Sequence, residues 1–415
     1  MLLIGPINAV VTLRNLPLNG PIENHAIEII PEGGILIEGH LIKEVDTFDS
    51  LKSKAKTIAS VERPCVALPG AIDCHTHICW AGNRSDEYID KLSGMDYETI
   101  AKKGGGIRKT VSSVREAPRE LLLQILLSHI DRLIANGITT CEVKSGYGLS
   151  VEDELKMLQV IQRAASLKPI DLVSTCLAAH IKPDDWKSPE DYLNHIAKQL
   201  LPLIKKNGLS YRIDAFVDRN GFEPAHAHPY LQAAKEMGFS ITLHAEQFSS
   251  GGCALAAELG AVSADHLEVA TAADAQTLAK HQVSAVVLPG ASLGLGIPFA
   301  PARMLLDNGC SVAIASDWNP GSAPMGDLWI QACLLSAYEK LSAAELFAGV
   351  TFRAAHALGM SDRGRIVKNQ RADLVFFPTE HYQDVLYFQG TLKPSSTWFE
   401  GEPLYGLRSI HPSSG

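Results

Sequence analysis

The chain has no CxxC pair, no long apolar run and no excess of basic charge. Each absence removes a class of protein. Its eight cysteines, at 65, 74, 79, 141, 176, 253, 310 and 333, are scattered. Most lie in apolar runs such as TTCEV and VSTCLAA, where a thiol behaves as a small hydrophobe. That usage argues against a disulfide framework and for a reducing, cytoplasmic compartment. No stretch reaches the ~20 apolar residues of a membrane-spanning helix, so no membrane partner is expected. The opening MLLIGPINAVVTL lacks a basic flank and a small-residue cleavage site, and Gly5 and Pro6 interrupt it. A signal peptide is therefore not expected. A net charge of −9 argues against a nucleic-acid partner. It does not exclude an anionic small substrate, because a local arginine can override the global field.

What is present fits a globular enzyme. Hydrophobic residues make up 46% and charged residues 20% of 415, and a chain of this length buries a large core without staples. Both ends read as β-structure. AVVTL, GGILIEGHLIKEV and CVALPG are short strands with Gly turns, and GRIVKNQRADLVFFP and STWFEGEPLYG read the same way. The middle alternates strands with amphipathic helices. Eight candidate strands occur in series: GAIDCHTH, TTCEVKS, DLVSTCLAAH, RIDAFVD, SITLHAE, AVSADH, SAVVLPG and SVAIASD. Eight βα units in series point to a (β/α)8 barrel. The expected division is a barrel over 66–363 and a small composite β-sandwich domain from 1–65 plus 364–415. Pairing of RADLVFF with the N-terminal strands would join the two ends.

In a barrel of this kind the active site lies at the C-terminal ends of the strands, and the polar residues of the middle fall there. Strand one ends at His75 and His77, whose i, i+2 spacing turns both rings to one side. Strand five carries His244, strand six His266 and strand eight Asp317. Three histidines and a carboxylate at strand tips suit zinc or iron. Each residue alone has a blander reading. An HxH pair more often satisfies backbone carbonyls than binds metal, and His266 or Asp317 alone reads as a core or capping residue. A second pair, His226 and His228 in FEPAHAHPYL, follows no strand and is assigned to a solvent-facing loop. The joint pattern carries the metal reading.

That pattern resembles the amidohydrolase superfamily over nearly the whole chain. DCHTHICWAGNRSDEY, KKGGGIRKTVSSVREA, EVKSGYGLSVEDELKML, LAAHIKPDDW and ASDWNPGSAP narrow the likeness to its imidazolonepropionase family. KSGYGL and DWNPGS are the most specific of these. The resemblance implies one Zn²⁺ or Fe³⁺ per subunit, held by His75, His77, His244 and Asp317. It implies hydrolysis of 4-imidazolone-5-propanoate to N-formimino-L-glutamate by a metal-activated hydroxide, with Asp317 and His266 catalytic. Arg84, Tyr147, His180, Gln247, Asn319, Gly321 and Ser322 are the implied substrate-binding residues, and a homodimer is the implied assembly. The candidate fourth strand has no lysine, so a single metal is expected and Lys144 reads as a structural ion pair.

The residues add reasons of their own. A guanidinium fork at Arg84 suits the propanoate carboxylate; its blander reading is a surface salt bridge. Gln247 can hydrogen-bond substrate but cannot act as a base, and strand alternation turns Glu246 away. The amides and side chains of the loop after Asp317 are expected on the ring or product. The Gly-rich loop LPGASLGLGIPFAP after strand seven lacks an aromatic stacking partner, a role left to Trp80 or Trp318. Two rivals stay open: another mononuclear amidohydrolase such as a cytosine- or guanine-type deaminase, and a non-catalytic amidohydrolase-like scaffold. The deaminase reading has no use for KSGYGL or for an arginine facing a carboxylate tail. Loss of a metal ligand would favour the scaffold.

Overall fold

The computed structural model describes residues 1–95, 99, 105–405 and 409–412. Residues 101–104 of the AKKGGGI motif, 406–408 and 413–415 lie outside that description. The middle of the chain forms an eight-stranded parallel sheet in strict chain order. Its strands follow five N-terminal ones, β1 (Leu2–Val11), β2 (Ile29–Glu38), β3 (Leu41–Thr47), β4 (Thr57–Ser60) and β5 (Val66–Pro69). The barrel strands are β6 (Ala71–Asp73), β7 (Ile138–Lys144), β8 (Asp171–Ala179), β9 (Arg212–Val217), β10 (Ser240–Ala245), β11 (Ser263–His266), β12 (Ser284–Val287) and β13 (Val312–Ile314). Helices between them include Arg119–Ala135, Val151–Ala165 and Pro189–Asn207. Apolar side chains of these helices, such as Leu126, Ile130, Leu158, Ile161, Leu200 and Ile204, are buried in one large core. Gly208 and Gly260 end two of them in the left-handed conformation, at φ 59° and 61°, where a side chain would add strain.

The barrel closes at its seam through the segments just beyond β6 and β13. Asp317 N donates to His75 O at 3.0 Å and His77 N donates to Trp318 O at 3.0 Å. The buried Asp73 carboxylate takes two further bonds across the seam, from Ser316 N at 2.9 Å and Ser316 Oγ at 2.5 Å. The same backbone that carries candidate ligands therefore joins the first strand to the eighth.

The two ends form one nine-stranded sheet with β14 (Leu374–Phe377), β15 (Ser396–Phe399), β16 (Glu402–Tyr405) and β17 (Ser409–Pro412). The sheet forks at β1, whose first residues pair with β4 and whose later ones pair with β5. Side chains of both branches, among them Ile4, Ala59, Phe376 and Trp398, share a second core. RADLVFF supplies β14, which pairs antiparallel with β5.

Three sequence readings are corrected. CVALPG forms β5 (Val66–Pro69) of the end sheet, as read, but the expected boundary at 66 cuts into it, and the chain enters the barrel at Ala71. GRIVKN forms turns and bends rather than a strand. The Gly-rich segment after β12 is a short helix, Pro289–Leu295, because Pro289 starts it and Gly296 caps it. We propose the domain division accordingly: residues 1–69 with the C-terminal strands, and a barrel from Ala71.

An Asp73→Ala substitution leaves the Ser316 amide and hydroxyl buried without their charged acceptor. The predicted cost is about 2–4 kcal/mol, read from urea unfolding. A loss under about 1 kcal/mol would contradict the role given to the seam.

Candidate active site

The end of β6 and the tips of β10 and β13 bring four donor groups together. His75 and His77 follow β6 in extended backbone, so both rings turn inward. His75 Nε2 lies 3.3 Å from His77 Nε2, and His244 Nε2 lies 3.3 Å from His77 Nε2. Asp317 Oδ1 is 3.6 Å from His75 Nε2 and 3.4 Å from His77 Nε2. All four side chains are buried. Burial, reinforced by neighbouring positive groups, holds His75, His77 and His244 well below the ordinary imidazole range, so they are neutral. Burial also pushes the Asp317 carboxyl up to about 6, against the pull of His266.

This donor set fits a metal ion. Two ligands at the usual metal–nitrogen length with a tetrahedral angle stand about 3.3 Å apart, which is the spacing found here. His75 Nδ1 is 2.7 Å from Asp265 Oδ2 and His244 Nδ1 is 3.0 Å from Asp214 Oδ2. Each carboxylate calls for a proton on Nδ1, which leaves two Nε2 lone pairs aimed at His77. A cation between them relieves that repulsion.

His266, at the end of β11, borders the cluster. His75, His244 and His266 each offer a ring nitrogen, all within 4.8 Å of one another. His266 sits at φ 88° and Asp317 at φ 51°, left-handed conformations that cost free energy and commonly mark functional sites. Burial opposes protonation of His266, but Glu268, with Oε1 3.5 Å from Nδ1, and Asp317 raise its pKa overall. Sequence reasoning passed over Glu268, and it passed over the carboxylates of Glu142, Asp214 and Asp265. Their signal was an acidic residue inside a buried strand, as in CEV, IDA and ADH. They surround Lys144, whose Nζ is 2.7 Å from Glu142 Oε2, 2.8 Å from Asp214 Oδ2 and 3.7 Å from Asp265 Oδ2. These are ion pairs rather than well-angled hydrogen bonds. The ion-pair reading of Lys144 holds, and β9 contains no lysine.

Beside the cluster lie groups suited to a substrate. His180 stacks on His77 with centroids 5.6 Å apart, and its Nδ1 bonds Gly146 O at 3.0 Å. Burial lowers its pKa to about 4. Tyr147 is buried 5.9 Å from the His77 ring. Burial raises its pKa, which Asp317 pushes further up and Arg84 pulls back. Gln247 is buried just past β10, whereas Glu246 turns away and accepts from Gly251 N and Cys253 N.

Arg84 is not a surface residue. Its Nε and Nη2 both donate to Glu87 Oε2, at 2.9 and 2.8 Å; Glu87 is buried and Arg84 partly so. Nη1 lies against Gly321, where an added Cβ would meet it at 2.3 Å. Glycine at 321 thus gives the guanidinium its space. Among the described residues, Nη1 has no protein hydrogen-bond acceptor.

The loop after Asp317 departs from expectation. The Gly321 and Ser322 amides both donate to Asn319 Oδ1 at 2.8 Å, so Asn319 folds the loop and those amides are engaged within the protein. Asn319 Nδ2 donates to Asp317 O at 2.6 Å, and Ser322 Oγ is 3.5 Å from Asp317 Oδ2.

Trp80 and Trp318 are corrected too. Trp318 alternates outward from Asp317 and is covered by Arg132, 4.6 Å from the ring centroid. Trp80 packs on His129 at 4.2 Å. Both rings are engaged away from the cluster. Besides Tyr147, Phe216 on β9 borders the cluster, 5.7 Å from the His244 ring and 6.1 Å from His180. Its apolar neighbours in DAFVD hid it.

His226 and His228 are in the helix Pro224–Glu236, not in a loop, because Pro224 starts that helix ahead of them. They pair with Glu190 and Glu258 at 2.8 and 3.1 Å, outside the site.

Comparison with known proteins agrees with this geometry. An amidohydrolase family model matches residues 66–404. The chain is 39% identical to the imidazolonepropionase of Erwinia tasmaniensis over 385 residues, 92% of this chain and 95% of that protein. It is 38% identical to that of Acinetobacter baumannii, covering 89% and 93%, and 37% identical to that of Yersinia pseudotuberculosis, covering 90% and 93%. Among solved structures, a zinc-complexed atrazine chlorohydrolase from Arthrobacter aurescens superposes with a TM-score of 0.69 at 17% identity, covering 98% of this chain and 95% of that one. A zinc-bound adenosine deaminase from Xanthomonas campestris gives 0.70 at 18% identity, covering 98% and 93%. At those identities the structures speak for the fold, and the family rests on the sequence matches. The chain belongs to the amidohydrolase family and, within it, to the imidazolonepropionases.

Proposed function

We propose that the chain hydrolyses 4-imidazolone-5-propanoate to N-formimino-L-glutamate, with one Zn²⁺ or Fe³⁺ held by His75, His77, His244 and Asp317. The observation that carries this reading is the convergence of three imidazoles and Asp317, beside an arginine held by Glu87 through Nε and Nη2. An ion held there supplies Lewis-acid polarisation of the ring carbonyl and a more acidic water. The reaction adds a water oxygen to the carbonyl carbon and breaks the ring C–N bond. The released nitrogen takes a proton.

The chain's own groups divide this work. Asp317 Oδ1 faces the histidine nitrogens, which leaves Oδ2 to receive the proton of the attacking water and return it to the leaving nitrogen. His266, with Nδ1 towards Glu268, presents Nε2 to the carbonyl oxygen as charge builds there. Arg84 Nη1 takes the propanoate carboxylate, and Glu87 keeps the fork from turning away. Tyr147, His180 and Gln247 line the ring, with Phe216 as its apolar wall. Asn319 and Ser322 hold the loop over the site, and Gly321 leaves room for Arg84.

A homodimer on family resemblance, a cytoplasmic location on cysteine usage and no nucleic-acid partner on the net charge of −9 belong to the same reading. No described helix is long and apolar enough to cross a membrane. A deaminase has no need of the Arg84–Glu87 pair, and a non-catalytic scaffold has no need of an intact donor set.

The direct test follows the ultraviolet absorbance of freshly generated imidazolone propanoate with purified protein. Turnover is expected, and none with metal-loaded protein would sink the assignment. His75→Ala is expected to lose metal and activity together; an active, metal-free variant would show that the ligands lie elsewhere. Arg84→Met is expected to raise KM at least tenfold, roughly the loss of one charged hydrogen bond. An unchanged KM would place the carboxylate at another residue.

A further inference from the structure

Lys144 is the feature that the proposed reaction leaves unused. It is fully buried at the end of β7, and a lysine pays heavily for leaving water unless its charge is matched. Its position relative to the histidines is specific. Asp265 Oδ2, 3.7 Å from Lys144 Nζ, is the oxygen that contacts His75 Nδ1 at 2.7 Å. Asp214 Oδ2, 2.8 Å from the same Nζ, contacts His244 Nδ1 at 3.0 Å. One ammonium thus reaches two histidines through one carboxylate oxygen each. Glu142 has a second cation in Arg212, at 3.4 Å. Among the described residues, no other lysine or arginine pairs with Asp214 or Asp265. Thr242 Oγ1 adds a donor to Asp265 Oδ2 at 3.4 Å.

We propose that Lys144 is a positioning residue for the metal centre, holding Asp265 and Asp214 where they orient His75 and His244. The proposal rests on the ligand assignment above. The physical reason is repulsion. Two buried carboxylates drawn towards one point do not stay there without a cation between them. Released from Lys144, they move apart, and the imidazole that each one steers loses its aim.

A second consequence concerns stoichiometry. His75, Glu142 and Asp265 place donor atoms within 4.8 Å of one another, a grouping that would suit another cation. Lys144 Nζ already sits against Glu142 and Asp265, so the lysine keeps the centre mononuclear.

The test uses Co²⁺ as the probe, bound to full-length wild type, Asp265→Asn, Lys144→Met and the double variant. Cobalt per chain, affinity by chelator competition and the visible cobalt spectrum are measured, with circular dichroism as the check on folding. Wild type should bind one ion. Asp265→Asn, which keeps the side-chain shape, should bind it about 10- to 100-fold more weakly, with shifted visible bands. Lys144→Met should do the same, and the double variant should be no worse than the weaker single, because both act along one chain of contacts. Should Lys144→Met not fold, Lys144→Gln, which removes the charge and keeps a polar group, carries the test, and wild-type affinity and spectrum there overturn the inference. Folded variants that match wild type in affinity and spectrum overturn the inference alone, as do strictly additive losses. Wild type that binds no cobalt overturns the ligand assignment and the inference with it.

Discussion

The seam between the first and last barrel strands is the constraint on which this structure depends. β6 has three residues and β13 has three, too few to close a barrel by ladder pairing alone. Closure is completed by the segments beyond them, through His75 O, His77 N, Ser316 and Asp317. Three of those four residues are in the candidate metal cluster, and the fourth, Ser316, directly precedes Asp317. Asp73, whose carboxyl is pushed up to about 7 by burial, ties the eighth strand down just before the turn that presents Asp317. Folding the barrel and building the site are the same set of hydrogen bonds.

The second constraint is electrostatic. A barrel core filled with buried histidines and carboxylates is expensive, and the molecule offsets that cost by sharing partners. Lys144 serves three acids, Asp265 and Asp214 each serve Lys144 and a histidine, and Glu268 serves His266 and Ser292. Towards the opening the same economy holds. Glu87 binds Arg84 and the Gly106 amide through one oxygen. A buried ion pair of this type adds little net stability but holds geometry, which is what carboxylate recognition requires.

The sequence made the barrel legible because a period of two alternating with 3.6 repeats eight times, and no single mistaken strand could hide that. His75, His77, His244 and Asp317 were legible only jointly, once their strands placed them at one end. The sheet formed by the chain ends was less clear. CVALPG was read as an end strand, but its partner β14 lies about three hundred residues away, so nothing local placed the domain boundary after β5 rather than at its start. Lys144 could be read, but its partners could not, since an isolated acid in a buried strand acquires meaning only when the cation is seen. The loop amides at 321 and 322 and the tryptophans at 80 and 318 were misjudged for a shared reason. Proximity in sequence to Asp317 or His77 does not give the direction of a side chain or an amide, and alternation turned Trp318 outward.

The central claim is that one ion sits among His75, His77, His244 and Asp317, in a barrel closed by the same residues. Anomalous diffraction at a metal edge from crystals of the metal-loaded protein tests it most directly. The account predicts a single peak within about 2.0–2.3 Å of the three Nε2 atoms and Asp317 Oδ1. A peak bound instead by Glu142 and Asp265, or a second peak of equal height there, would contradict it.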